Sequence, residues 1–207
     1  MHFFEFDPLE KKLEDLPGLH RVAFAAACCE RMLPNYSAFC RMYDFGDATI
    51  PRKALDEVWE ILQGKPVDPV KIDELIEECV REDVAPDSLD FGGASYKAIQ
   101  VLEAICKTLT ACLEPSTGEI VTVAERARSI IEFYVACEDE SWNLTWEKDG
   151  KEKYLEAMAS HPFAVREIAK EVEDLQRLKE TETLNRNFLE WLRTSSHNNG
   201  KSLIDLT

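Results

Sequence analysis

Nine side chains between positions 30 and 60 have the chemistry to hold a ligand or a partner: Glu30, Arg31, Asn35, Tyr36, Asp47, Arg52, Asp56, Trp59 and Glu60. Asp56 and Glu60 stand four apart, so a helix puts both carboxylates on one face. Arg31 or Arg52 on a neighbouring helix can bridge to them. Beside Trp59 and Tyr36, such a set lines a pocket for a small ligand or receives a basic side chain. The same residue types also build ion-pair and capping networks that fix helix crossings, and both readings stay open. No catalytic acid or base follows from them.

Other chemistry finds less material. None of the four histidines, His2, His20, His161 and His197, has a Glu three residues before it, as a di-iron bundle requires. No H-E-x-x-H run or calcium loop occurs, so no metal and no cofactor is expected. His20 and Cys28 or Cys29 share one predicted helix but stand about 12 to 13 Å apart along it, too far for a nucleophile and its base. Gly92-Gly93-Ala94-Ser95 opens a helix without the Lys of a phosphate loop or a preceding strand, and reads as a glycine turn. The seven cysteines are odd in number and lack a C-x-x-C pair, which points to reduced, buried thiols in a cytoplasmic protein.

The charge balance excludes more than the motifs do. Lys and Arg number 24 and Asp and Glu 40, a net charge of −16. Nucleic acid and anionic membrane need clustered cations to displace counterions, so neither is an expected partner. A basic protein is. The segment from Lys71 to Asp90 holds eight acids and two bases, a solvated helix face or a docking strip for such a partner. The first ten residues carry Glu5, Asp7 and Glu10 and do not read as a signal peptide, and the longest apolar run, Val22 to Cys29, is far below the roughly 20 residues of a membrane span.

Helices must position these groups. Asp7 caps a first helix with Pro8 in its opening turn. Leu19, Val22, Ala23, Ala26, Cys29 and Leu33 form the stripe of a second, which Pro34 ends or kinks. A third stretch runs to Phe45 and Gly46, and Leu55, Val58, Trp59 and Leu62 face inward on the next. Asp68-Pro69 starts another, with Ile72, Leu75 and Cys79 inward. A loop from Arg81 to Gly93 precedes the stripe Ile99, Leu102, Ile105, Cys106, Leu109, Cys112 and Leu113. Thr122 and Glu125 match a capping box. Ser160 and Pro162 open a long helix with Val165, Ile168, Val172 and Leu175 inward, and Leu184, Phe188 and Leu192 mark the last. No period-two run or hairpin signal interrupts the series. The expectation is an all-α, single compact bundle of eight to ten helices over residues 1–193, with a polar, mobile tail over 194–207.

The run Cys29-Glu30-Arg31-Met32-Leu33-Pro34-Asn35-Tyr36, then Phe39-Cys40, Phe45-Gly46-Asp47, Ile50, Arg52, Leu55-Asp56, Trp59-Glu60 and Leu62, resembles the YjaG-like family of bacterial proteins, domain of unknown function 416. The likeness is densest over residues 19–62. It implies an all-helical domain of about this length and brings no activity, cofactor or partner. Two readings of function follow. The first is a non-enzymatic, acidic helical protein that binds a basic cytoplasmic protein. The alternative is a small-ligand-binding protein or enzyme with a pocket near Asp56, Trp59 and Arg52. No oligomeric state is assigned.

Overall fold

The apolar residues recur at helical spacing along nearly the whole chain, and the computed structural model, which describes residues 1–87, 89–196 and 203–204, turns them into ten helices and no strand among those residues. They are α1 (Asp7–Glu14), α2 (Gly18–Tyr43), α3 (Thr49–Leu62), α4 (Pro69–Cys79), α5 (Gly93–Leu113), α6 (Thr117–Cys137), α7 (Trp146–Asp149), α8 (Lys151–Ala159), α9 (Pro162–Glu180) and α10 (Arg186–Ser196). The all-helical expectation is met. None of the described helices is long and apolar enough to cross a membrane.

At the centre lies α2. Every residue from Val22 to Leu33 is buried, so this helix has no solvent face over three turns. Its small residues, among them Ala23, Ala25, Ala26 and Ala27, let neighbours approach closely, and α3, α5, α6, α9 and α10 all pack on it. Around this axis α5 and α6 pair along their length, α4 rests on α3 and α5, and α1 on α6.

Several local expectations change. Pro34 does not end α2; the helix continues to Tyr43, and the two helices expected around Pro34 are one. Proline removes a single ladder bond there, while packing on both sides holds the flanking turns. Asp44, in the left-handed conformation, ends the helix instead of Gly46. Gly46 makes the following turn at φ 79°, where an added Cβ would lie 2.6 Å from the Tyr36 hydroxyl.

Asp68 caps α4 as expected, accepting the amides of Val70 (3.1 Å) and Lys71 (3.4 Å). Asp7 sits inside the first turn of α1, not at its cap, where the helix dipole still favours it. The Thr122 box falls in the middle of α6, and the Thr122 hydroxyl donates to the Gly118 carbonyl at 3.0 Å. His161 caps α9 in place of Ser160, its Nδ1 accepting the Phe163 amide at 3.3 Å.

The inward faces also shift. In α5 Ala98, Val101, Leu102, Ile105 and Leu109 are buried, Ile99 only partly, and Leu113 is exposed. Leu19 is exposed, as are Val165 and Val172 in α9. What α9 buries instead is Glu167, Glu171 and Asp174 beside Phe163, Ala164, Leu175 and Leu178. The last helix extends through Ser196, three residues into the expected tail, and Leu203 is buried against the core. Residues 197–202, with His197, and 205–207 lie outside the described residues.

Candidate functional site

Four of the nine candidates converge. Glu30, in the buried stretch of α2, has no exposed surface. Arg52 on α3 grips it with two bonds, 2.8 and 2.9 Å, and the indole of Trp59 donates to it at 2.7 Å. Arg193 on α10 adds a contact of 3.2 Å to Glu30, and lies 5.8 Å from the Trp59 ring. Asp56 joins the two arginines from the other side, 2.8 Å from Arg52 and in close contact with Arg193. Burial works against the Arg52 charge, but Glu30 and Asp56 outweigh it and hold its pKa above the usual value. The cluster joins α2, α3 and α10. Beside it Glu30 and Arg52 border a hollow of about 240 Å³, with Leu33, Pro34, Ser37, Arg41 and Ala48; neither Trp59 nor Asp56 lines it.

Arg31 points into a different network, which the sequence did not disclose. Its guanidinium bonds Glu167 at 2.6 and 2.9 Å and Asp174 at 3.1 Å. Arg128 of α6 pairs with Glu171 through two bonds, 3.0 and 2.5 Å, donates to the Phe3 carbonyl at 2.8 Å and stacks on Phe6. Glu167, Glu171 and Asp174 stand on α9 at spacings of four and three, the spacing of a buried helix face. That spacing is the one local signal of their burial, and it is weak because acids seldom face a core. Burial pushes the carboxyls of Glu171 and Asp174 up, against the pull of the facing guanidiniums. Cys28, next to Arg31, is likewise raised, by its own burial.

The other candidates are dispersed. Tyr36 donates to the Val84 carbonyl at 2.7 Å, tying α2 to the loop after α4, and its burial raises the phenol pKa. Asp47 accepts the Thr49 amide (2.8 Å) and hydroxyl (2.7 Å), bonds that lower its pKa. Glu60 is exposed and pairs with Lys65 at 2.7 Å. Asn35 is buried with its amide nitrogen unpartnered, and borders a separate hollow of about 220 Å³. His20 contacts the Thr181 carbonyl at 2.8 Å through its Nε2. Among the described residues no three His, Cys, Asp or Glu side chains converge as metal ligands do.

A larger concavity lies elsewhere, between α4, α5 and α6. This cleft of about 520 Å³ is walled by Cys79, Val80, Ala85, Pro86, Ile99, Leu102 and Cys106, with Glu103, Lys107, Thr110 and Arg126. Its two basic groups are already paired, Arg126 with Glu103 (3.0 Å) and Lys107 with Glu119 (2.8 Å). The acidic segment supplies part of its wall, through Cys79, Val80, Ala85 and Pro86, and in that segment Asp73, Glu74, Glu77, Glu82, Asp83 and Asp90 are all exposed, as are Val70, Val80 and Leu89. Asp73, Glu77, Glu82 and Asp90 enter no ion pair among the described residues, whereas Glu74, Glu78 and Asp83 do.

The same chain architecture occurs in known proteins. A family described as "Protein of unknown function (DUF416)" matches residues 8–207. The uncharacterised protein YjaG of Escherichia coli (strain K12) is 33% identical, with 68% of this chain and 80% of that protein covered. YjaG of Salmonella typhimurium shows the same identity and coverage. A crystal structure of a DUF416 family protein from Shewanella baltica superposes with a TM-score of 0.83 at 25% identity, over 96% of this chain and 97% of that one. On both sequence and fold, the chain belongs to the DUF416 family.

Proposed function

We propose that this protein is a non-enzymatic interaction protein of the cytoplasm that receives a basic segment of a partner protein, seating an apolar side chain of that segment in the α4–α5–α6 cleft. The observation that carries the reading is contiguity: an open, largely apolar cleft of about 520 Å³ is walled in part by a segment rich in exposed acids, four of them without an ion pair among the described residues. Apolar anchors in a pocket supply most of an interface's energy, and a complementary field speeds and orients encounter. The rim arginine and lysine are neutralised within the protein, so the local field stays negative. A net charge of −16 disfavours nucleic acid and anionic membrane as alternatives. The converging charges around Glu30 and along α9 are paired with one another, which suits a structural role better than turnover.

Affinity capture with the full chain tests this. Basic proteins are expected to be retained at low ionic strength and released by salt, and a Glu77→Lys/Glu82→Lys variant and a cleft-filling Leu102→Trp variant should each lose them. Equal capture by all three proteins would overturn the reading. A second reading has one observation behind it, the 240 Å³ hollow at Glu30 and Arg52. It falls just under the roughly 300–1,000 Å³ of small-molecule sites. A thermal-shift screen of small charged metabolites, repeated on Arg52→Lys, tests it; no shift in the unaltered protein eliminates it.

A further inference from the structure

Two cysteines on different helices share one wall of the cleft. Cys79 is the last residue of α4, where the helix gives way to the loop; Cys106 lies in the middle of α5. Their thiols sit against one another, Cys79 buried and Cys106 partly open to the cleft. We propose that Cys79 and Cys106 are a peroxide-oxidisable pair, a modification site that closes as a disulfide joining the end of α4 to the middle of α5. The inference stands apart from the docking reading and does not need it.

The placement supplies what the chemistry requires: a reachable nucleophile, and a resolving thiol in contact with it at the end of a helix. The Cys79 thiol, facing Cys106, lowers the Cys106 pKa against the effects of burial and of Glu103. By contrast Cys28, Cys29 and Cys112 are raised by burial, Cys29 and Cys112 to about 12, and none of them borders the cleft. The Cys106 thiolate attacks one oxygen of hydrogen peroxide, the S–O bond forms and the O–O bond breaks; the released hydroxide takes a proton to become water. Sulfur is oxidised to the sulfenic acid and peroxide is reduced. Cys79 then attacks that sulfur, its proton leaves with the displaced hydroxyl as a second water, and the S–S bond forms. Two thiols and one peroxide give one disulfide and two waters.

The test uses the full chain, treated with hydrogen peroxide, alkylated and mapped by peptide mass. Loss of two free thiols, recovery of a Cys79–Cys106 linked peptide pair and its release by dithiothreitol are expected. Cys106→Ser should abolish the disulfide, and Cys79→Ala should leave a Cys106 sulfenic acid that dimedone traps. Oxidation of the exposed Cys137 while the pair stays reduced, or disulfides only between chains, would overturn the proposal on the unaltered protein, whatever the variants do.

Discussion

A guanidinium taken out of water costs several kcal/mol unless its donors are met, and Arg128 meets Glu171 with two bonds and backbone carbonyls with the rest. Removing one partner therefore differs from removing both. Arg128→Met is expected to destabilise the protein by about 3–5 kcal/mol in urea unfolding, because Glu171 is left charged and buried. Adding Glu171→Leu should recover most of that loss; strictly additive penalties would show that the pair is not coupled. The pH dependence has a definite sign. Burial raises the Glu171 carboxyl, so the folded chain holds its proton more tightly than the unfolded chain does. Such a group favours folding fully below the unfolded carboxylate value and loses that contribution as pH rises through the folded one. The Arg128→Met penalty should accordingly be largest near neutrality and shrink toward acid, where the orphaned carboxyl takes up its proton.

At the scale of the helix, Asp68 is a start signal whose partners lie within three residues. Asp68→Ala should cost about 1 kcal/mol, measured by chemical unfolding, since two amides of the first turn lose their acceptor. Signals this local were legible: α4 begins where Asp68-Pro69 says it does, and α3 buries Leu55, Val58, Trp59 and Leu62 as their spacing requires. Signals that depend on distant parts of the chain were not. The burial of Glu167, Glu171 and Asp174 makes sense only once Arg31 and Arg128 are opposite them, and sequence separation hides both. Likewise Glu30, Arg52, Asp56 and Trp59 lie close enough in sequence to be considered together, but Arg193, 137 positions from Asp56, has no local mark. Pro34 misled for the converse reason: its local rule is sound, and burial of the turns either side of it overrode that rule.

Over the whole molecule, a net charge of −16 on a 207-residue chain sets up self-repulsion that the folded state concentrates. Raising ionic strength from about 0.01 M to about 0.15 M shortens the screening length from about 30 Å to about 8 Å. The melting temperature should climb over that range; a fall would mean that surface ion pairs, also screened, outweigh the repulsion. The buried α2 charges belong to another order of events. Glu30 and Arg31 stand early in the chain, while their partners Glu167, Asp174 and Arg193 are near its far end. During synthesis Arg52, which pairs with Glu30, follows the central helix closely, but the partners of Arg31 leave the ribosome more than a hundred residues later. Because α9 and α10 both pack on that helix, its burial is completed only by the last part of the chain to be made, and a product truncated before Glu167 is expected to leave Arg31 without its carboxylates.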